Sequence, residues 1–260
     1  MTTRSVQHPR YLTRKRAAFL QLFLNTPHIT TEQAYVLSGA KTPTQQRAIR
    51  RFLKLMHAAG YLLRELLVSR CTSPLPHFQY SYRLSKHGAK EVHGRFAAER
   101  SPASLAHDSE ITAFHIELLK YPGKVWWKQH DLKRSVNPDA LFGLARDAAT
   151  PASYYFLEIE RSRQGHYRDG DSGLVAKLRR YVAYRKSPDC RKEFKHFDDY
   201  RVIVVLSNGE RQLNLLKKVA GILPFGFIWT TTREDCQRDM FGAIFRTPKD
   251  HASRAYSLAP

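Results

Sequence analysis

Residues 137–160 read NPDALFGLARDAATPASYYFLEIE, and this stretch decides the fold of the second half of the chain. Asp139 follows a proline before one apolar run, and Glu158 and Glu160 lie two residues apart in the next. Because residues i and i+2 of a strand point to the same face, the two glutamates are expected to project together, away from a core. Adjacent carboxylates repel, and burying them is costly without a cation. The pattern therefore predicts a divalent metal with oxygen ligands.

The order of the acids is that of a PD-(D/E)xK phosphodiesterase core, with a PD motif at Asp139 and an ExE motif at Glu158. Hydrolysis of a phosphodiester needs a metal ion that polarises the phosphoryl oxygen, activates water and offsets charge on the leaving oxygen. We therefore predict Mg²⁺ or Mn²⁺ as the cofactor. The predicted metal ligands and catalytic acids are Asp139, Glu158 and Glu160.

The third position of such a core is usually lysine, and Glu160 departs from that pattern. In one interpretation Glu160 is a further metal ligand or the general base, and Lys177 or Arg161 supplies the catalytic cation. Glu110, on the preceding predicted helix, is then an additional acid. In the other interpretation the site is inactive. Paired acids on an exposed strand face are often only solvated, and Pro-Asp is a common turn former.

The net charge of the chain indicates the kind of molecule that it binds. The chain of 260 residues has 43 Lys and Arg against 23 Asp and Glu, a net charge of +20. Residues 1–100 contain 17 of the basic residues and 4 of the acidic ones, an excess of 13, which leaves 26 against 19 for residues 101–260. A balance of this kind predicts binding to a polyanion, most simply duplex DNA, with single-stranded DNA as a further ligand of a cutting site.

The first half predicts a winged helix-turn-helix over residues 11–95, after a disordered start at residues 1–10. Three helical patterns precede two strands that flank a proline-bearing loop. The third helix, TPTQQRAIRRFLKLMHAAG, has Pro43 in its first turn and a polar side suited to the major groove. The DNA-binding residues predicted on that side are Gln45, Gln46, Arg47, Arg50, Arg51 and Lys54.

The second half, residues 104–260, alternates apolar strands with amphipathic helices, which implies βαβ crossovers and some parallel sheet. The predicted fold class is α/β (α+β): a winged helix-turn-helix, then a restriction-endonuclease-like mixed sheet flanked by helices. The helix GLVAKLRRYVAYRK follows the acids. Arg179 and Arg180 on this helix, with Arg161 before it, are predicted to line the DNA path, although a basic helix face is as often merely solvated.

Several classes of protein are disfavoured. The three cysteines form no CxxC pair, and there is neither a glycine-rich phosphate loop nor an HxH metal motif. A chain without an apolar run long enough to span a bilayer is expected in the bacterial cytoplasm, without membrane insertion. A tyrosine nucleophile stays open, and the tyrosines considered for it are Tyr154, Tyr155, Tyr167, Tyr181 and Tyr184.

The predicted winged helix-turn-helix, followed by PDALF at 138–142, FLEIER at 156–161 and KLRRY at 177–181, resembles the plasmid replication-relaxation proteins. Within that group it is similar to the MobC-type relaxases of mobilisable and conjugative elements. The resemblance implies binding to an origin of transfer and nicking of one strand by a restriction-endonuclease-like acidic site with Mg²⁺ or Mn²⁺. Carried over by motif, the same three acids are catalytic. Accessory mobilisation or coupling proteins are implied partners.

Two further hypotheses accompany the nicking relaxase. Some replication-relaxation proteins bind DNA without cutting it, so a non-catalytic regulator or plasmid replication accessory protein with a degenerate nuclease fold is the alternative. A double-strand nuclease of the restriction type is the third, and it differs from a relaxase in giving linear plasmid.

Overall fold

In the computed structural model, the described residues are 12–69, 77–93, 101–129, 136–160, 173–193, 200–221, 223, 226–249 and 254–258. The predicted disordered start, Arg161 and Tyr167 lie outside them. The chain divides into two compact units, Met1–Ile116 and Glu117–Pro260. Within the described ranges, no helix is long and apolar enough to cross a membrane.

The first unit combines helices with a small antiparallel sheet of order β1-β3-β2. Its buried core includes Leu20, Leu53, Met56 and Tyr82. The helices and strands, in chain order, are α1 (Arg14–Asn25), β1 (Ile29–Thr30), α2 (Thr31–Leu37), α3 (Pro43–Ala58), β2 (Leu62–Ser69), β3 (His77–Leu84), α4 (Lys86–Glu91) and α5 (Pro102–Leu118). Three helices therefore precede a β-hairpin, which is the order predicted for a winged helix-turn-helix.

Capping fixes the turn between α2 and α3. Thr30 caps α2 and Thr42 caps α3, each in a capping box with the glutamine three residues later. Gly39 adopts a φ of 71° after α2, a left-handed conformation that glycine takes without strain. The Gln45 side chain accepts hydrogen bonds from the backbone N–H groups of Lys41 and Thr42. Gln45 therefore serves the cap of α3, a use that the sequence analysis did not foresee.

The other side chains predicted to read DNA lie further along α3. Arg47, Arg50, Arg51 and Lys54 are exposed, and Gln46 is half-buried. Arg50 also donates from Nε to the Tyr35 hydroxyl on α2 at 3.0 Å, so it braces the two helices against each other.

Helix α5 packs with the first unit through residue 116, whereas the sequence analysis began the second domain at residue 104. His28 Nε2 lies 3.6 Å from Asp108 Oδ2, and both side chains are buried. The Thr112 hydroxyl donates to the His28 carbonyl at 3.2 Å, and Gln33 Nε2 donates to the Ser109 carbonyl at 2.9 Å. These polar contacts fix the helix against the start of α2.

The second unit is built on a five-stranded mixed sheet of order β4-β5-β6-β7-β8. Neighbours among the first three strands are antiparallel, whereas β6, β7 and β8 run parallel. The mixed α/β fold class predicted from sequence is confirmed. The elements are β4 (Lys124–Lys128), β5 (Ala140–Ala145), β6 (Ser153–Ile159), α6 (Leu174–Lys186), α7 (Pro188–Glu193), β7 (Tyr200–Leu206), α8 (Gly209–Val219), β8 (Ile228–Thr232) and α9 (Arg233–Asp239).

One core cluster joins a sheet face to α6 and α8. It contains Phe156 of β6, Val204 of β7, Leu178 and Tyr181 of α6 and Leu215 of α8, all of them buried. Side chains alternate between the faces of a strand, so Glu158 belongs to the same face as Phe156. The fold therefore delivers the second acid of the motif to the side of the sheet that carries the helices.

Gly88→Ala is expected to destabilise the first unit by about 1–3 kcal/mol, because the structure leaves no room for a larger residue. A Cβ at Gly88 would lie 2.1 Å from the Tyr61 carbonyl oxygen, although alanine is otherwise the better helix former. Urea denaturation followed by circular dichroism measures the change. Gly209→Ala is the control, since its Cβ would meet open space. Wild-type stability of Gly88→Ala would mean that α4 does not pack on Tyr61.

Candidate active site

The pairing of β5 with β6 brings Asp139 next to Glu158. Ala140 pairs with Leu157 in the antiparallel register, so Asp139 faces Glu158 across the strands. The Asp139 backbone N–H donates to the Leu157 carbonyl at 3.0 Å, and Asp139 Oδ2 accepts from the Ile159 N–H at 2.7 Å. The carboxylate of Asp139 is therefore oriented by the backbone of the strand that carries the second motif.

Glu158 is a buried carboxylate with two partners on α6. Its Oε2 accepts from Lys177 Nζ at 2.6 Å, and its Oε1 accepts from the Tyr181 hydroxyl. Lys177 and Tyr181 lie four residues apart, on one face of the helix. Burial, and then the negative charge of Asp139, raise the pKa of Glu158 to about 7, while Lys177 and Tyr181 act in the opposite direction. The cost of burying the ionised carboxylate therefore exceeds what its contacts with Lys177 and Tyr181 recover.

Glu160 has a different set of contacts. Its Oε1 accepts from Arg211 Nη2 of α8 at 3.0 Å, and its carbonyl oxygen accepts from Arg233 Nη2 at 3.0 Å. Its backbone N–H donates to the Val205 carbonyl, which continues the pairing of β6 with β7. The structure therefore brings Asp139, Glu158 and Lys177 together and pairs Glu160 with an arginine. In the part of the chain that is described, no group of three or more His, Cys, Asp or Glu side chains is arranged to hold a metal.

The remaining predicted site residues are placed as follows. Arg179 and Arg180 are exposed on α6. Glu110 lies on α5 in the first unit, so its role as an additional acid stays a prediction.

The tyrosines considered as nucleophiles are mostly inaccessible. Tyr155, Tyr181 and Tyr184 are buried, and Tyr181 is 0% exposed. Burial, together with the charge of Glu158, raises the pKa of Tyr181 well above its ordinary value, which opposes formation of a phenolate. Tyr154 packs edge-on against Trp126. Tyr181 therefore fits a role in holding Glu158 better than an attack on DNA.

Sequence reasoning missed Arg211 and Arg233. Arg211 follows the buried strand β7 by a few residues, and Arg233 follows β8 directly. Their position after buried strands is a usable signal, because ligands of open α/β sheets bind at the carboxyl ends of parallel strands.

Glu158→Gln is expected to stabilise the protein at pH 8 in EDTA by on the order of 1–3 kcal/mol. A folded-state pKa above the unfolded one means that Glu158 favours folding below pH 4.5, and that this contribution is lost as the pH rises through about 7. Glutamine carries no charge, so its advantage should shrink at pH 5. Free energies of unfolding at the two pH values measure the effect.

The matched control is Glu160→Gln, which loses the ion pair with Arg211 and should destabilise at both pH values. If Glu158→Gln destabilises at pH 8, the contacts of Glu158 with Lys177 and Tyr181 outweigh the cost of its burial.

One of the comparisons with known proteins identifies the family of this chain. No curated protein matches the chain. Among solved structures, the restriction endonuclease FokI bound to DNA is similar at a TM-score of 0.30 and 10% identity, over 91% of this chain and 45% of that one. The chain thus spans under half of that enzyme's length, and so weak a likeness says nothing about activity. The replication-relaxation family model matches residues 20–198. This match covers more than half of the sequence, and the chain belongs to the replication-relaxation family.

Proposed function

We propose that this protein is a site-specific, metal-dependent relaxase that nicks one DNA strand at an origin of transfer during plasmid mobilisation. One observation carries the proposal: Asp139 and Glu158 lie side by side at neighbouring strand ends, and Lys177 contacts Glu158 directly. Two carboxylates and a lysine are the groups that a PD-(D/E)xK core uses. Here the lysine comes from α6, because position 160, directly after β6, holds a glutamate.

The acids present suit a hard divalent cation. Mg²⁺ and Mn²⁺ prefer oxygen ligands, which Asp139 and Glu158 supply. The raised pKa of Glu158 reflects its burial first and the charge of Asp139 second, and a bound cation would favour the ionised carboxylate. When bound, Mg²⁺ or Mn²⁺ would polarise the phosphoryl oxygen and lower the pKa of the attacking water. We assign the metal to two carboxylates instead of three, because Glu160 is engaged with Arg211.

The protein's own residues then divide the remaining work. Lys177 is partly exposed, so its ammonium group can reach both Glu158 and a phosphate oxygen at the surface. Tyr181, from the core, fixes the orientation of the Glu158 carboxylate. Tyr155, Tyr181 and Tyr184 are buried and cannot approach a backbone phosphate, which favours water over these three tyrosines as the nucleophile.

DNA binding is assigned to exposed basic residues in each unit. Arg47, Arg51 and Lys54 of α3 would contact the major groove, and Arg179 and Arg180 of α6 would contact the strand at the site. Accessory mobilisation or coupling proteins would act with this complex on the origin.

One observation favours the non-catalytic alternative. Position 160 lacks the usual lysine, and its glutamate forms an ion pair that does not involve Glu158. A regulator or replication accessory protein with a degenerate nuclease fold would have the same DNA-binding residues and no turnover.

Relaxation of supercoiled plasmid with Mn²⁺ decides between these functions. The wild type should give open-circle product, and Asp139→Asn or Glu158→Gln should slow its formation at least about 100-fold, because each removes a metal ligand. Lys177→Met should slow nicking with little change in metal binding. Glu110→Gln tests the additional acid in the same assay.

Asp147→Asn is the matched control, since Asp147 is an exposed acid between β5 and β6 that accepts hydrogen bonds from Ala149 and Thr150 in its own turn. It should nick at the wild-type rate. Absence of open-circle product from the wild type, or its persistence in Asp139→Asn and Glu158→Gln, would support the non-catalytic alternative. Linear product would identify a double-strand nuclease.

Arg47→Ala is expected to weaken discrimination between a preferred duplex, selected from a random library, and a scrambled one. Arginine in the major groove contributes about 1–3 kcal/mol of base discrimination. Fluorescence anisotropy measures both affinities. Arg14→Ala removes the same charge at an exposed position of α1. It should lower both affinities without changing their ratio. If Arg47→Ala keeps the wild-type ratio, α3 does not read the bases through this residue.

A further inference from the structure

Two arginines from two different helices donate hydrogen bonds to Glu160. Arg211 lies in the first turn of α8 and bonds the carboxylate, whereas Arg233 begins α9 and bonds the carbonyl oxygen of the same residue. The Arg211 side chain is 16% exposed and the Glu160 side chain 7%. The carboxylate of a nearly buried glutamate therefore holds the Arg211 guanidinium group, which lies closer to the surface. The carbonyl oxygen of the same residue accepts from Arg233.

The position of this group ties it to the acids. Glu160 is two residues from Glu158, and its backbone still pairs with β7 through Val205. Arg211 and Arg233 come from the segments that follow β7 and β8. The carboxyl ends of three neighbouring parallel strands therefore carry Glu158, with Lys177 bound to it, and then the two arginines.

The donor geometry of these arginines suits an anion. A guanidinium group has five N–H donors in a planar fork, so one arginine can bind a carboxylate and a phosphate at once. A single ion pair would suffice to fasten the strand end to α8, yet Glu160 also holds Arg233 through its carbonyl oxygen.

We propose that Arg211 and Arg233 form a phosphate-binding pair for the DNA strand next to the bond that is cut, and that the Glu160 side chain is the positioning residue of Arg211. This inference rests on the proposed function for the identity of that strand. In place of the lysine expected at position 160, the chain has a glutamate whose carboxylate holds Arg211, while its backbone carbonyl oxygen accepts from Arg233.

The direction in which Glu160→Gln changes the affinity for DNA distinguishes a positioning role from an effect of net charge. Glu160→Gln removes a negative charge and makes the protein more basic. If the surface attracted DNA only through net charge, this variant would bind DNA more tightly. If the Glu160 side chain positions Arg211, the variant binds DNA more weakly, although it has one negative charge fewer.

The binding test uses the full-length protein in EDTA, with a short fluorescein-labelled single strand and its duplex, over a range of NaCl concentrations. Arg211→Gln and Arg233→Gln should each weaken binding several-fold and lower the slope of log affinity against log salt by about 1. Arg211→Lys should keep the slope and lose part of the affinity, because it retains the charge without the fork. Glu160→Gln should weaken binding.

Two controls keep this test specific, and thermal unfolding checks that every variant folds. Glu210→Gln removes an exposed acid next to Arg211 and should tighten binding slightly. Arg238→Gln removes an arginine of α9 whose side chain is 66% exposed, and should lower affinity less than Arg233→Gln does. Binding by Glu160→Gln as tight as that of Glu210→Gln would overturn the positioning role. If Arg211→Gln and Arg233→Gln both keep the wild-type slope of log affinity against log salt, the two arginines do not form a phosphate-binding pair.

Nicking kinetics with Mn²⁺ provide the second readout. Glu160→Gln and Arg211→Gln should each lower kcat by roughly 10- to 100-fold through misplacement of the strand. The double variant should be no slower than Arg211→Gln alone, since both changes disable one unit. Additive losses would overturn the positioning role. If the wild type does not nick at all, the proposed function fails, and the EDTA binding experiment still decides on the phosphate-binding pair.

Discussion

The contact between Glu158 and Lys177 is the interaction on which the rest of the site depends. A carboxylate that is 4% exposed would be very unfavourable alone, and Lys177 and Tyr181 offset part of the cost of its burial. The strand register that brings Asp139 alongside adds negative charge next to this buried group. Perturbed carboxylates of this kind are common at functional sites and also occur in structural ion-pair networks.

Glu160 shows how two residues on one face of a strand can acquire different roles. Both glutamates point toward the helices, but Glu158 lies beneath α6, whereas Glu160 lies past the end of β6 and meets the beginning of α8. Its carboxylate pairs with Arg211, so the contacts of Glu160 differ from those of Glu158. Basic side chains from α6, α8 and α9 contact these two residues.

The sequence was informative where a local rule decided the structure. Spacing along β6 placed Glu158 and Glu160 on one face, and the chain order of the elements predicted the mixed sheet. The expectation that this face points away from a core was wrong, because it packs against α6 and α8 and both glutamates are buried. A local rule also explains the N-cap of α2 at Thr30, because the reciprocal capping box needs Gln33 three residues later. Sequence reasoning failed where partners are distant along the chain. Examples are the fixing of α5 by His28 and the pairing of Glu160 with Arg211.

The place of β6 within the sheet has a mechanical consequence. This strand is hydrogen-bonded on both sides, antiparallel to β5 and parallel to β7, so Glu158 cannot shift without disturbing two neighbours. The basic groups from α6, α8 and α9 instead reach the strand end through long side chains with several rotatable bonds. The carboxylate is therefore held by the backbone of the sheet, whereas the cations can adjust around it through their side chains alone.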